Sequence, residues 1–382
     1  EDAHSFNVAI GGYSLYSQNA GANAYNTAVG YNTGFATTTA IKNTLIGGLA
    51  GDAITEGGFN VALGYDALGA NTVGNSNIAI GSAALATNVA ADRNVAIGTQ
   101  ALNAMTSATT LDTYNTAIGY NAGRLVTTGT FNTLLGGLAG DALAEGGENV
   151  AIGYGALSGE DGHGKNVAIG YHSLVAQNAG ADAYNVAVGH SAGEGMTTGV
   201  QNTLIGGSAG DALTIGNNNT ALGYAALSTS VDGDYNVAIG FQALKDYEDG
   251  DGDGHNTAIG SNSQAAATTG QFNVSLGSSS LGGAALTGDN NIGLGYKAGY
   301  ALTSGSSNVA VGHESLMTED GHGKNTAVGH QTLKVQDAGA DAYNVAVGYS
   351  AGVALTTGVN NTLIGGQAGD SITSAAYNTL FG

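Results

Sequence analysis

The chain has no cysteine, no proline and no tryptophan, only eight Lys and Arg among 382 residues, and no apolar run that approaches a membrane span. Without cysteine there is neither a disulfide framework nor a thiolate metal site, so packing and backbone pairing must hold the fold. Eight cations against 29 Asp and Glu leave a formal charge of −21 and a pI near 4.3. That balance opposes binding to nucleic acid or to anionic membrane, whose phosphates require many Lys and Arg. The lack of an apolar stretch of roughly 18–20 residues argues against membrane insertion. No Ser-His-Asp set, no paired carboxylates and no Lys-bearing phosphate loop stand out, so no enzyme is expected.

What is present is glycine, 66 residues of it, with abundant Ala, Asn and Thr. Such a composition marks either low complexity or an ordered repeat. A repeat is favoured, because the aliphatic residues fall at fixed positions. The unit is Asn, a β-branched residue, a small residue or Leu, a bulky apolar residue, then Gly, as in Asn60-Val61-Ala62-Leu63-Gly64 and Asn94-Val95-Ala96-Ile97-Gly98. It opens at 22 asparagines from Asn7 to Asn378, among them Asn43, Asn94, Asn132, Asn202, Asn219, Asn308 and Asn361. Most intervals are seventeen long, as from Asn43 to Asn60 and from Asn60 to Asn77; six are longer, up to twenty-one from Asn94 to Asn115, which predicts loop insertions at one corner.

The positions one and three after Asn share a strand face, since side chains alternate with period two. The first is always Val, Thr or Ile, and the second is always apolar. Position two is small in most units, as in Ala62, Ala96 and Ala151. Parity alone leaves open which of these faces is the interior and which meets a partner. The Gly that follows fits a corner needing positive φ or close backbone approach. Eight residues after Asn stands Leu (Leu68, Leu85, Leu157, Leu227) or Gly, with Gln264 as the exception. Where it is Gly, an apolar residue appears three places later in eight of nine units: Ile54, Val126, Leu143, Met196, Leu213, Leu302, Leu355 and Ile372. One aliphatic plug per unit is thereby kept, as a packed interior demands.

So short a unit, with no helical periodicity, cannot hold a βαβ crossover. The prediction is an all-β, parallel β-solenoid of about 22 coils. Equivalent residues would stack about 4.8 Å apart in a rod on the order of 100 Å long, with the asparagines forming an amide ladder, each donating to the next. A longer period overlays the coils. Glu160 to Asn166 recurs as Glu319 to Asn325, and Ala179 to Asn185 as Ala338 to Asn344, both nine units further along the chain. No composition break divides the chain, so residues 1–382 read as one continuous repeat domain.

The Asn-Val-Ala-Ile-Gly unit resembles the head repeat of trimeric autotransporter adhesins of the YadA type. The longer phrases Asn43 to Ala53 and Asn115 to Gly123 are more similar to repeats in tail-fibre proteins of marine bacteriophages, especially cyanophages. The adhesin resemblance implies a left-handed β-roll assembled as a homotrimer. The fibre resemblance implies a structural shaft of a phage tail or virion, a fragment of a longer fibre protein, in contact with a host cell-surface receptor or glycan. A bacterial adhesin head is the alternative. Either places the protein on a virion or at an extracellular cell surface.

Four features invite a site. Asp249-Gly250-Asp251-Gly252-Asp253-Gly254 matches the opening of a calcium loop, with Asp249, Asp251 and Asp253 as ligands, although Gly260 stands where such a loop closes on Glu. Tyrosines recur after the Gly corner (Tyr65, Tyr120, Tyr171, Tyr224) and before the Asn anchor (Tyr25, Tyr114, Tyr184), where exposed columns would stack on sugars and buried ones would cap the core. Threonines stack at Thr203 and Thr220, but Val186 and Val237 break the flat array that ice binding requires. Glu160 with His163, and Glu319 with His322, read as structural or solvated residues in exposed Gly-rich loops rather than as a ligand cluster.

Overall fold

The computed structural model describes residues 6–107, 109–160, 162–248 and 253–382. These residues contain no helix, and every anchoring Asn is followed by a three-residue strand, as at Val61–Leu63 and Thr203–Ile205. The chain forms two compact units, Glu1–His190 and Ser191–Gly382. Eleven of the 22 three-residue strands lie in each. Within each unit successive strands pair in parallel and in strict register. Val61 opposes Ile78, Ala62 opposes Ala79 and Leu63 opposes Ile80; in the second unit Thr220, Ala221 and Leu222 oppose Val237, Ala238 and Ile239. The fold is the expected parallel β-solenoid, and one turn of it separates Val61 from Ile78 and Thr220 from Val237.

Parity is resolved by burial. Residues two after Asn are buried (Ala62, Ala96, Leu134, Leu204), whereas their neighbours one and three after Asn point outward. The small column therefore lines the interior, and the β-branched and aliphatic columns form the outer face of the sheet. The plugs are where the pattern puts them, with Leu68, Leu85, Leu157 and Leu227 buried alongside Ile54, Val126, Leu143, Met196, Leu213, Leu302 and Leu355. Volume is conserved across positions. Where Leu replaces Ala two after Asn, as at Leu45 and Leu134, the plug position is Gly51 or Gly140, and a methyl there would stand 3.0 Å from Leu45 Cδ2 or 2.8 Å from Leu134 Cδ2.

The corner Gly is needed on both counts. Gly240 has φ +133°, and a Cβ there would lie 2.6 Å from the Gly260 carbonyl oxygen of the next coil. Left-handed backbone is not confined to glycine. In the Asn60 coil Asp66 (φ 58°) and Leu68 (φ 54°) adopt it, as does Phe59 (φ 61°) just before the anchor. Each such residue costs roughly 1–2 kcal/mol in isolation, and neighbouring coils hold them there. The N–H of Asp66 donates to the Gly48 carbonyl behind it, and that of Leu68 to the Ala84 carbonyl ahead, both at 3.0 Å.

The asparagines are buried and form a ladder, but not the one expected. The backbone N–H of Asn43 donates to Asn26 Oδ1 (2.8 Å), and that of Asn60 to Asn43 Oδ1 (2.8 Å). Nδ2 instead crosses the coil to the carbonyl fourteen residues on, as in Asn43 to Gly57 (2.9 Å) and Asn202 to Gly216 (2.8 Å). Amide-to-amide donation joins only some rungs, among them Asn94 to Asn77 (3.2 Å), Asn132 to Asn115 (3.1 Å), Asn219 to Asn202 (3.1 Å) and Asn361 to Asn344 (3.2 Å). Asn308 follows the rule, its N–H on Asn291 Oδ1 (3.0 Å) and its Nδ2 on the His322 carbonyl (3.1 Å). A backbone donor and a carboxamide donor are both satisfied by one buried side chain, which is why Asn rather than Ser or Ala holds this place.

Insertions gather ahead of the next anchor, as expected. After Asn94, the longest interval, Leu111–Asp112 pairs in parallel with Ala91–Asp92. The intervals that open at Asn7, Asn166 and Asn325 bring a compensation that the sequence reading missed. Gln18, Gln177 and Gln336 stand eleven residues after the anchor, beside the plugs Leu15, Leu174 and Leu333, and their Oε1 atoms accept from Asn26 (2.7 Å), Asn185 (2.9 Å) and Asn344 (3.2 Å).

Candidate functional site

The outward face of the sheet is the main candidate surface. Alternation within each three-residue strand puts the residues one and three after the anchor on it, and the residues before the anchor and five after it flank this strip beyond the strand ends. The column three after the anchor is aliphatic in every coil before the last, which carries Phe381, and much of it is exposed, with Leu135 at 45% and Leu276 at 51%. Monomeric proteins seldom leave contiguous apolar ground of this extent in water.

Aromatic residues border it on both sides. The column after the Gly corner includes Tyr65, Tyr120 and Tyr224, all exposed, and its rings stack from coil to coil. Tyr154 lies 5.8 Å from Tyr171, and Tyr171 lies 5.2 Å from His190. In the second unit His313 stacks on His330 (5.0 Å) and His330 on Tyr349 (5.2 Å). The column before the anchor mixes rings and cations with polar residues such as Ser76 and Asn290. Tyr114 stacks on Phe131 (5.6 Å), Lys42 Nζ lies 4.8 Å from the centre of the Phe59 ring, and Lys165 and Lys324 lie 5.2 and 5.1 Å from Tyr184 and Tyr343. Lys42, Arg93, Lys165 and Lys324, half of the eight cations, belong to this column. These tyrosines are thus exposed stacks and not core caps.

Of the proposed calcium ligands, Asp249 and Asp251 lie outside the described residues. Asp253 is exposed, bridges to Asp234 through the backbone, and has its carboxylate 3.7 Å from His255 Nε2. A threonine ladder went unnoticed in sequence. It is not the column at Thr203 and Thr220 but one twelve residues after the anchor, where Thr38, Thr55, Thr197 and Thr214 each donate Oγ1 to the equivalent carbonyl of the next coil at 3.0–3.1 Å. The recurrent Thr-Thr-Gly and Thr-Glu-Gly phrases at that offset were its signal.

The reading of the Glu-His pairs as solvated is corrected. Glu160 and Glu319 are fully buried, because each stands eleven residues after its anchor, an inward position beside the Leu157 or Leu316 plug of the same coil. The N–H of His163 donates to Glu160 Oε1 (3.2 Å), and Asn325 Nδ2 donates to Glu319 Oε2 (3.3 Å). The imidazoles lie alongside, His163 Nδ1 at 3.7 Å from Glu160 and His322 Nδ1 at 3.9 Å from Glu319. Burial first, then the Asp337 carboxylate, push the Glu319 carboxyl up to about 8.

Chemically, the outer face offers apolar contact, ring stacking and a few cations on a flat, regular support. No protein-family model and no curated protein matches this chain.

Proposed function

We propose that this chain is a structural fibre shaft of a phage tail or virion, assembled as a homotrimer whose copies lie against one another along the outer sheet face. The observation that carries this is the outward apolar column, repeated in every coil and bordered in many of them by exposed rings. Eleven strands at about 4.8 Å, three residues wide at about 3.3 Å each, give each of the two units a strand face on the order of 500 Å², to which the exposed rings on either side add. A stable protein interface needs roughly 800 Å² per partner. A second and third copy of the same chain suit this face because their spacing repeats at the same interval. Any aromatic column left uncovered by the assembly is where a host receptor or glycan would be met.

Sedimentation velocity of the purified chain tests the reading, with Leu135, Leu222 and Leu276 together replaced by Asp. The parent is expected at trimer mass and the variant at monomer mass, with unchanged circular dichroism because all three side chains point away from the core. A parent that stays monomeric at tens of micromolar would sink the proposal.

A further inference from the structure

In one place the repeat breaks its own rules several times over, and the breaks meet in space. Glu319 puts a carboxyl at the buried position eleven residues after its anchor, in a coil whose plug is Leu316, His322 stands where most coils have Gly, and Asp320 and Asp337 occupy two successive rungs of the threonine ladder. One ligand atom from each of these four side chains lies within 4.8 Å of every other. Glu319 is fully buried, and among the described residues neither its Oε1 nor His322 Nδ1 has a hydrogen-bond partner, although both atoms are shut off from water. Leaving a buried acceptor and a buried ring nitrogen unsatisfied is costly, unless something else fills the space between them.

We propose that Glu319, His322, Asp320 and Asp337 form a binding site for a divalent transition-metal ion of the Zn2+ class. One imidazole nitrogen with carboxylate oxygens is a donor set for such ions, whereas Ca2+ and Mg2+ favour oxygen alone. Tetrahedral Zn2+ places its ligands roughly 3.3 Å apart. The exposed Asp320 and Asp337 side chains can close the remaining distance by rotation, while Glu319 and His322 are held by the coil. The ion would neutralise the carboxylates that now repel one another and remove the desolvation penalty on Glu319. It would also tie the Asn308 coil to the Asn325 coil at a point where the threonine ladder is interrupted.

The first copy of the cassette serves as an internal control. It repeats Glu160 and His163 but carries Asn178 in place of Asp337. The test is isothermal titration of the full chain, stripped with EDTA, with ZnCl2 and separately with CaCl2. The variants are His322→Ala and Asp337→Asn, the latter installing a residue the other cassette already tolerates. The expected result is close to one Zn2+ per chain, weakened at least tenfold in each variant while their melting curves stay those of the parent. Four results would overturn the site: no saturable Zn2+ heat, two equal sites per chain, parent-like affinity in both variants, or binding of Ca2+ but not Zn2+. The first would mean that the four side chains hold no metal.

Discussion

The two copies of the cassette, Glu160 to Asn166 in one unit and Glu319 to Asn325 in the other, are a comparison the molecule makes with itself. Their interiors match. Leu174 and Leu333 are buried plugs, Gln177 and Gln336 cap the following asparagine, and Glu160 and Glu319 occupy the same buried register. Their peripheries have diverged. Tyr154 and Tyr171 in the first are His313 and His330 in the second, Gly155 is Glu314, Val175 is Lys334, and Asn178 is Asp337. In the second cassette Lys334 lies 2.7 Å from Glu314, and that hydrogen bond, with a further one from Gln331, lowers the Glu314 carboxyl to about 2. The coil architecture fixes what faces inward and leaves the outward positions free to acquire charge, rings or ligands.

The strongest challenge to that view is to alter the matched interiors. Leu174→Ala and Leu333→Ala should each cost about 2–5 kcal/mol, read by chemical denaturation of the unit concerned, and the two losses should agree within about 1 kcal/mol. A cost confined to one cassette would mean that the interiors are not equivalent.

A smaller effect separates the cassettes by pH. The Glu319 carboxyl is raised in the folded chain from an ordinary value of 4.5 to about 8 by burial, by Asp337 and by Asp320. The folded state therefore holds a proton that the unfolded state releases. This group's contribution to stability is complete below about pH 4.5 and is lost as pH rises through about 8. Glu319→Gln should melt higher than the parent at pH 9 and lose that advantage by pH 5, in buffers containing EDTA and monitored by circular dichroism. Parallel melting profiles for parent and variant would remove the buried acid from the stability balance.

The smallest effect belongs to a feature the cassettes share at the surface. Lys165 pairs with Asp182 and Tyr184, and Lys324 with Asp341 and Tyr343, and these hydrogen bonds raise the lysines and lower the aspartates. All are open to water, where screening and side-chain entropy cancel most of the attraction. Lys165→Met and Lys324→Met should leave thermal melts unchanged within experimental scatter. A clear drop in either would show that the cation-ring column is structural.

Much of this was legible in the sequence. The period, the strand positions, the Gly corner and the relocation of the plug from Leu68-type to Ile54-type positions all follow from spacing, because a stacked interior forces each coil to repeat the last. Which face points inward was not legible. Ala96 beside a thin interior and Ile97 against a partner satisfy alternation as well as the reverse does, and only the width of the coil decides between them. The ladder was half legible: the asparagines align, but their amides turn toward the carbonyl fourteen residues away, a contact that depends on how the coil closes. Glu319 was misread because its neighbours Gly321 and Gly323 suggested an open loop. Counting eleven residues from Asn308 would have placed it indoors.

The seam of corner glycines sets different tolerances for two kinds of genetic change. A single added methyl at Gly64 or Gly260 would meet the backbone of the adjoining turn at 2.5 or 2.6 Å, so point substitution there has no harmless version. Loss or gain of a whole turn leaves every remaining glycine facing another glycine, and the seam closes again. Such a molecule is brittle to misspelling yet indifferent to length, and its natural route of variation is to copy or drop complete turns, as the duplicated cassettes record.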